Sequence, residues 1–290
     1  MSSAFHIHRL CVIGVGLIGG SLARALRKAK CVDVIVGVGR DKAHLQHAKS
    51  LGVIDECETD IATAVRHADV VVVAVPLGAM QACFSALKYA VSDSTIITDV
   101  GSAKQSVLTA MQSAWGKLPP NFIPGHPIAG TEQSGVDASF AELFAQRRVI
   151  LTPHAQSAAM AMTLVQQMWQ HCGAQVTIME AQHHDEVLAA TSHLPHMLAY
   201  ALVDTLARMN DRQEIFTYAA GGFRDFTRIA SSDPQMWHDI CLANREALAK
   251  MLRLFSTDLQ RLCEAVERGD GEYLKTTFSR AKAARDQFGE

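Results

Sequence analysis

A histidine in a glycine-bordered segment is the side chain best suited to acid–base chemistry in this sequence. His126 lies in the stretch GHPIAGTE, directly after a predicted strand at residues 121–123. A neutral imidazole can accept a proton near pH 7. In a parallel α/β sheet, the loops at the carboxyl ends of the strands form the crevice where ligands bind. The sequence therefore predicts His126 as a general base that removes a proton from a substrate hydroxyl.

Two further polar segments can face the same crevice. Ser102, in DVGSAK, stands where a predicted strand ends and a helix begins, so its hydroxyl can reach a ligand there. SHLPH places His193 and His196 three residues apart on one helix face. Pro195 has no backbone N–H and should kink that helix. Because no carboxylate lies four residues from either histidine, the pattern predicts no metal site.

An arginine follows in the stretch GGFRDFTRIASSDP. Arg228 lies within it, and the planar fork of a guanidinium matches a carboxylate in a bidentate manner. Asp233 and Pro234 at its end have the pattern of a helix N-cap followed by proline at the first helical position. The segment therefore places an arginine shortly before a helix, where it can bind an anionic ligand or pair with an acidic residue of the protein.

A glycine fingerprint near the amino terminus predicts a dinucleotide site. Gly14, Gly16 and Gly19 form GxGxxG between a predicted strand and a helix starting at Leu17. The first glycine allows a tight turn, the second lets the backbone approach a pyrophosphate, and the third allows close helix–strand packing. The N–H groups at the start of the helix then bind the anion.

The end of the second predicted strand indicates cofactor selectivity. NAD sites usually place an acid there, about 20 residues beyond the fingerprint, to bind the ribose hydroxyls. Here Gly39 stands at that position and Arg40 follows. A glycine leaves room for a 2′-phosphate and a guanidinium can bind it. We predict NADP as the preferred cofactor with NAD also allowed; the alternative is that Arg40 stacks on the adenine and Asp41 binds the ribose. The predicted cofactor contacts are Gly14, Gly16, Leu17, Ile18, Gly19, Gly39, Arg40, Val75 and Pro76.

Strands and helices alternate up to about residue 180. The predicted strands lie at residues 7–13, 32–38, 69–75, 95–98 and 121–123, with a further strand–helix–strand unit at 149–179. This alternation predicts a parallel sheet with right-handed crossovers. Helical spacing dominates afterwards. The expected fold is an α/β Rossmann-type parallel-sheet domain over residues 1–180, followed by an all-α C-terminal dimerisation domain over residues 181–290.

The composition indicates which binding partners and which cellular compartment are expected for this protein. Of 290 residues, 49% are hydrophobic and 19% charged, which is ordinary for a globular protein with a core. A net charge of −2 offers no surplus to neutralise nucleic acid, so that partner is not expected. No signal peptide is recognised, and the longest strongly apolar run, residues 70–75, is too short to span a bilayer. The seven scattered cysteines fit a reducing, cytoplasmic location without disulfides or a cysteine zinc site.

Together, the glycine fingerprint, GHPIAGTE, SHLPH and GGFRDFTRIASSDPQMW closely resemble the prephenate and arogenate dehydrogenase family of tyrosine biosynthesis. The resemblance covers nearly the whole chain. That family oxidises the ring hydroxyl of a cyclohexadienyl acid, transfers hydride to the nicotinamide, and releases the ring carboxylate as CO2 while the ring becomes aromatic. The resemblance implies that prephenate or arogenate is converted to 4-hydroxyphenylpyruvate or tyrosine, by a homodimer formed through the helical domain.

The resemblance also implies residue roles. His126 matches the residue that takes the hydroxyl proton, Ser102 the serine that orients the hydroxyl and His126, and Arg228 the arginine that grips a substrate carboxylate. The residues implied to line the substrate pocket are Thr131, His184, His193 and His196. His184 lies nine residues before His193, so a straight helix would place the two on opposite sides.

Two other functions stay open at this point. One is a different small-acid or imine dehydrogenase with the same two domains, which commonly uses a helical lysine as acid–base group. The absence of lysine from residues 118–249 disfavours it. The other is a non-catalytic NADP-sensing module, which would need the glycine loop but not His126, Ser102 and Arg228.

Overall fold

The computed structural model of the protein describes residues 5–287, and a six-stranded parallel sheet forms the centre of its amino-terminal part. The strand order is β3-β2-β1-β4-β5-β6. These strands are β1 (Ile7–Ile13), β2 (Val32–Val38), β3 (Glu56–Glu58), β4 (Val70–Val73), β5 (Ile96–Asp99) and β6 (Phe122–Ile123). Alternate residues of β4 enter two different apolar clusters, one on each face of the sheet. This explains why β4 reads as an unbroken run of valines.

Helices cover both faces of this sheet. They are α1 (Leu17–Lys28), α2 (Lys42–Ser50), α3 (Ile61–Ala64), α4 (Leu77–Leu87), α5 (Lys104–Trp115) and α6 (Ala159–His171). Asp41 and Asp60 cap α2 and α3 by accepting hydrogen bonds from backbone N–H groups of the first turn. The predicted Rossmann-type architecture is confirmed.

A second, three-stranded sheet was not predicted. Its strands are β7 (Gly125–Pro127), β8 (Arg148–Leu151) and β9 (Gln175–Ile178), with β7 antiparallel and β9 parallel to β8. The sequence predicts the strand–helix–strand unit that contains β8 and β9, but not that these strands form a sheet separate from the main one. It also placed His126 on a loop, whereas His126 pairs with Ile150 inside β7. Strand β7 has only three residues, two of them glycine and proline, and so short a segment shows no periodicity that predicts a strand.

The carboxyl-terminal part is helical throughout, as predicted. Its helices are α7 (Ala181–Leu188), α8 (Leu194–Ala207), α9 (Arg212–Thr217), α10 (Gly221–Thr227), α11 (Pro234–Ala243), α12 (Arg245–Glu267) and α13 (Gly271–Asp286). A π-helical turn, Ala189–His193, joins α7 to α8, so the irregularity expected near Pro195 lies just before that proline. Asp233 caps α11 with Pro234 in its first turn, as the sequence predicts.

The chain packs as two compact units that divide between Arg245 and Glu246. The boundary predicted at residue 180 stays a prediction. Within the first unit, Asp185 of α7 accepts hydrogen bonds from the backbone N–H groups of Lys104 and Gln105. Among the described residues, no helix combines the length and apolar character that a membrane span requires.

Candidate active site

A cavity of about 460 Å³ opens at the carboxyl ends of the main-sheet strands, within the first compact unit. This volume falls in the range of small-molecule sites. The fingerprint side of its wall comprises Gly16, Leu17, Ile18, Val75, Pro76 and Leu77. The opposite wall includes Ser102, His126, Thr131, Glu132, His193 and Trp237. One cavity therefore joins predicted cofactor contacts to predicted catalytic residues.

The fingerprint glycines differ in what requires them. Gly14 has a φ of +97°, and a Cβ there would collide with the carbonyl oxygen of Ala74 at the end of β4. At Gly19, a Cβ would collide with the carbonyl oxygen of Gly14. At Gly16, a Cβ would meet nothing within 4 Å. Protein packing thus explains the first and third glycines, and the open space at the second fits a pyrophosphate.

The start of α1 fits the same ligand. Its N-cap is Gly16, which supplies no side-chain hydrogen bond to the first turn. The leading N–H groups therefore have no capping side chain and can bind an anion. Four of the predicted cofactor contacts are not in the cavity wall: Gly14, Gly19, Gly39 and Arg40. Gly39 and Arg40 lie just beyond β2, where a parallel sheet receives the adenosine end of a dinucleotide.

His126 is the first member of a buried hydrogen-bonded chain. Its Nδ1 lies 2.9 Å from Nε2 of His184, and Nδ1 of His184 lies 2.8 Å from Oδ1 of Asp185. All three side chains are buried. The pKa of His126 lies well below its usual value of 6.5, because burial disfavours the cation and the nearby positive charge of Lys104 disfavours it further.

When both imidazole rings are neutral, the hydrogen bonds of this chain fix which nitrogen of each ring carries the proton. A carboxylate can only accept, so Nδ1 of His184 carries a proton and donates to Asp185. Nε2 of His184 is then an acceptor, and Nδ1–H of His126 donates to it. The lone pair of His126 therefore resides on Nε2, and His126 lines the cavity. This arrangement makes Nε2 of His126 available as a base.

His193 is a hydrogen-bond donor toward the cavity, whereas His126 is an acceptor. Nδ2 of Asn244 donates to the backbone carbonyl of Asp185 at 2.7 Å and contacts Nδ1 of His193 at 3.1 Å. Because the carbonyl contact requires the amide NH2 at this position, Nδ1 of His193 accepts and its Nε2 carries the proton. Burial lowers the pKa of His193 to about 4. His193, which lines the cavity, is therefore a neutral donor toward a ligand.

The π-helical turn explains how His184 and His193 serve one site. Nine residues of straight α-helix would place them on opposite sides, as the sequence alone predicts. A π turn adds a residue to one turn and rotates the subsequent part of the helix by about 100°. His184 consequently reaches His126 while His193 reaches the cavity. His184 itself does not line the cavity and acts on it through His126.

The other predicted pocket residues lie at different depths. His196 is not in the cavity wall; its ring stacks on Trp237, with centroids 3.7 Å apart, and Trp237 lines the cavity. Ser102 and Thr131 both line it. Among the described residues, no hydrogen bond joins Ser102 to His126, so it is His184 that orients the His126 ring here.

Arg228 stands behind the cavity wall. Its guanidinium forms an ion pair with Glu132, which lines the cavity. The Arg228 side chain is 63% exposed and that of Glu132 is 32% exposed. No lysine or arginine of the described chain occurs among the cavity-lining residues. Arg228 is thus connected to the cavity through its ion pair with Glu132.

A buried ion pair that the sequence did not predict lies beneath His126. Nζ of Lys104 contacts Oδ2 of Asp99 at 2.5 Å and donates to the backbone carbonyl of Gly125 at 2.6 Å. Both side chains are fully buried. The pair fixes the peptide that precedes His126, and Lys104 is not among the cavity-lining residues. The sequence signal for this ion pair is the segment DVGSAK, in which an acid ends strand β5 and a lysine begins helix α5.

Comparison with known proteins identifies the family. The nucleotide-binding domain of prephenate dehydrogenase matches residues 22–178, and its dimerization domain matches residues 180–280. The cyclohexadienyl dehydrogenase of Zymomonas mobilis is 43% identical over 281 residues, which are 95% of this chain and 94% of that protein. The chain belongs to the prephenate dehydrogenase family.

Solved structures of the family have the same fold. Prephenate dehydrogenase from Aquifex aeolicus, in complex with hydroxyphenyl propionate and NAD+, aligns with a TM-score of 0.90 at 36% identity, covering 99% of this chain and 100% of that one. Synechocystis arogenate dehydrogenase aligns with a TM-score of 0.80 at 26% identity, covering 97% and 99%. As a member of the prephenate dehydrogenase family, the chain is a nicotinamide-dependent oxidoreductase. The sensing module and the lysine-dependent dehydrogenase are not favoured.

Proposed function

We propose that this enzyme catalyses the oxidative decarboxylation of prephenate, arogenate or both, yielding 4-hydroxyphenylpyruvate or tyrosine in tyrosine biosynthesis. The observation that carries the proposal is the Asp185–His184–His126 chain, which directs a lone pair into a cavity shared with the dinucleotide loop. Relatives named cyclohexadienyl, prephenate and arogenate dehydrogenase support the substrate class.

The tautomers determine the proton path. Nε2 of His126 accepts the proton of the ring hydroxyl as the carbon beneath it loses hydride, for which the bound nicotinamide supplies the acceptor. The resulting imidazolium keeps its Nδ1–H bond to His184 and is stabilised by the negative charge of Asp185. Loss of CO2 sends an electron pair through the ring to the oxygen, which becomes a phenolate. His126 then returns its proton, so no net proton is released.

The remaining residues bind and orient the substrate. The Nε2–H of His193 and the hydroxyls of Ser102 and Thr131 can donate to its oxygens. We propose that Arg228 receives a substrate carboxylate, which replaces the carboxylate of Glu132 as its partner. Because aromatisation makes decarboxylation strongly favourable, positioning and one base suffice for the protein's part.

We further propose a homodimer in which residues 1–180 bind the dinucleotide and residues 181–290 form the interface. The dimerization-domain match supports this. Helix α12 also exposes a row of large apolar side chains, which is typical of a surface covered in an assembly. These are Leu254, Phe255, Leu259 and Val266. All seven cysteines are free thiols, which supports a cytoplasmic location.

The test of the proposed function is turnover with four substrate–cofactor pairs. The purified enzyme is mixed with prephenate or arogenate and with NAD or NADP, and the absorbance of the reduced cofactor is followed. We expect turnover with at least one pair and stoichiometric release of CO2. A folded enzyme that binds NADP but turns over no pair contradicts the proposal.

We also propose a preference for NADP over NAD. The side chain of Asp41 caps α2 through the N–H groups of Ala43 and His44, so its Oδ1 is engaged in the helix. Arg40 is exposed and forms no hydrogen bond or ion pair with the described residues, which leaves its guanidinium available for a phosphate. Because a relative was solved in complex with NAD+, the preference is measured by comparing kcat/KM for NADP with kcat/KM for NAD.

Substitutions at Gly39 and Arg40 test this preference. A Cβ at Gly39 would make only ordinary contacts with Leu45, at 3.4 Å or more, so Gly39→Asp should fold normally. Its carboxylate would repel a 2′-phosphate, and Arg40→Ala would remove its partner. We expect each change to lower kcat/KM for NADP about tenfold or more while changing that for NAD little. Gly39→Asn is the uncharged control, and unchanged selectivity in both variants contradicts the preference.

A further inference from the structure

At the opposite end of the main sheet, three potential metal ligands meet. Nε2 of His6 lies 2.7 Å from Oδ1 of Asp33, and Nδ1 of His8 lies 2.8 Å from Oδ2 of the same carboxylate. The donor atoms all lie within 4.8 Å of one another. Within residues 5–287, no other histidine, cysteine or acidic side chains bring three donor atoms this close together.

The sheet itself creates the arrangement. His6 and His8 flank Ile7, whose side chain is buried, so both imidazoles project from the other face of β1. The parallel register pairs Ile7 with Val32 and Arg9 with Val34, which sets Asp33 of β2 beside His8. The backbone at this corner is fixed by the hydrogen bond from Ile7 N to Cys31 O. Two strands thus present the three side chains on a rigid base.

We propose that His6, His8 and Asp33 form a binding site for a divalent transition-metal ion of the Zn²⁺ class. Two imidazoles and one carboxylate are the ligand set that such ions prefer, with a water completing a tetrahedron. Ligand bonds of about 2.0–2.1 Å place tetrahedral donor atoms roughly 3.3 Å apart. The two His–Asp contacts would open by about half an ångström and any wider donor separation, at most 4.8 Å, would close. The exposed side chains have the freedom for both movements.

The surrounding charges favour a cation at this corner. Asp33 bears the only carboxylate of the cluster, and the carboxylate of Asp69 lies nearby, where it accepts a hydrogen bond from the backbone N–H of Arg9. The adjacent guanidinium of Arg9 is already neutralised by a bidentate contact with Glu56. A bound ion would therefore experience net negative charge and would link the amino-terminal end of β1 to β2.

The proposed metal site is separate from the reaction. His8 and Gly14 are six residue steps apart along the strand, which is about 20 Å. The ion would stabilise the amino-terminal edge of the sheet without reaching the cavity. Loss of the metal site should therefore leave turnover unchanged, whichever reaction the enzyme catalyses.

Titration of the full-length, metal-free enzyme with ZnCl2 and with CoCl2 tests the site. We expect the wild type to bind one more Zn²⁺ per chain than His8→Ala or Asp33→Asn, by calorimetry with thiols kept reduced. We also expect a Co²⁺ spectrum of nitrogen–oxygen coordination that both variants lose. ZnCl2 should raise Tm of the wild type and not of the variants. Because His8 is 79% exposed, its removal should not prevent folding.

His47→Ala is the matched control, since His47 is an exposed histidine that contacts the carboxylate of Asp137 at 2.7 Å, and no second histidine of residues 5–287 is hydrogen-bonded to that carboxylate. This variant should bind Zn²⁺ as the wild type does. Equal Zn²⁺ stoichiometry in the wild type and His8→Ala, or equal loss in His8→Ala and His47→Ala, would overturn the proposal. A Co²⁺ spectrum dominated by thiolate coordination in every protein would do the same.

Discussion

Replacing His126 by asparagine should lower kcat by about 10²- to 10⁴-fold, the range that positioned general bases contribute. The Nδ2 of asparagine can still donate to Nε2 of His184, so the buried chain keeps its first hydrogen bond. Only the base at Nε2 is lost. Cofactor affinity, measured by fluorescence titration, should change little because the fingerprint loop is untouched.

His67→Asn is the matched control for this substitution. His67 is exposed, and its φ of 63° is one that asparagine adopts readily, so the control should retain full activity. A His126→Asn enzyme within threefold of wild-type kcat would exclude His126 as the base.

The pH profile gives a second readout of the same residue. His126 must be neutral to accept a proton, and its pKa lies well below 6.5 because of burial and neighbouring positive charge. The neutral form therefore persists as the pH falls through 6.5. We expect kcat/KM to stay level down to pH 6.5 and to decline only below it. A single acid limb at or above pH 6.5 would contradict the low pKa.

Local patterns predicted the parts of the site that a few neighbouring residues determine. The positive φ of Gly14 and the contact of Gly19 with the carbonyl of Gly14 both arise within six residues of chain, and Gly16 between them leaves open space for a ligand. The cap at Asp233 is equally local. Such features depend on short-range backbone geometry, which spacing alone encodes.

The buried chain behind His126 could not be predicted in this way. It depends on one π-helical turn, which rotates His193 by about 100° relative to His184 and so removes the opposition that a straight helix predicts. It also depends on Asp185, which reads as a helical surface acid but is drawn inside because it caps α5 from another part of the chain. Asn244 joins the site from 51 residues beyond His193. Tertiary packing determines the positions of these side chains, and the hydrophobic periodicity of the local sequence does not predict them.

Replacing His184 by phenylalanine should lower kcat by about 10- to 100-fold, the usual cost of losing a residue that orients a reactive one. Phenylalanine fills the buried space but cannot accept the Nδ1–H of His126. The imidazole then loses the partner that fixes its tautomer and the link to the charge of Asp185. Because His184 is not in the cavity wall, KM for the cyclohexadienyl substrate should change less than threefold.

Partial rescue by glutamine distinguishes positioning from packing. The side-chain oxygen of His184→Gln can accept from His126 and restore the tautomer, although it cannot carry the proton bond on to Asp185. We expect its kcat to lie between those of phenylalanine and wild type. Nitrogen-15 NMR of the His126 ring should show Nδ1–H in the wild type and the glutamine variant, and a mixture of tautomers in the phenylalanine variant.

Leu188→Met in the same helix is the control for disturbed packing, because Leu188 is buried and the exchange preserves volume. Its kcat should match the wild type. If both His184 variants and Leu188→Met lost activity equally, with the His126 tautomer unchanged, the chain would be a packing feature only. A selective loss in kcat, rescued in part by glutamine, would establish that the structure uses Asp185 and His184 to hold one lone pair toward the substrate.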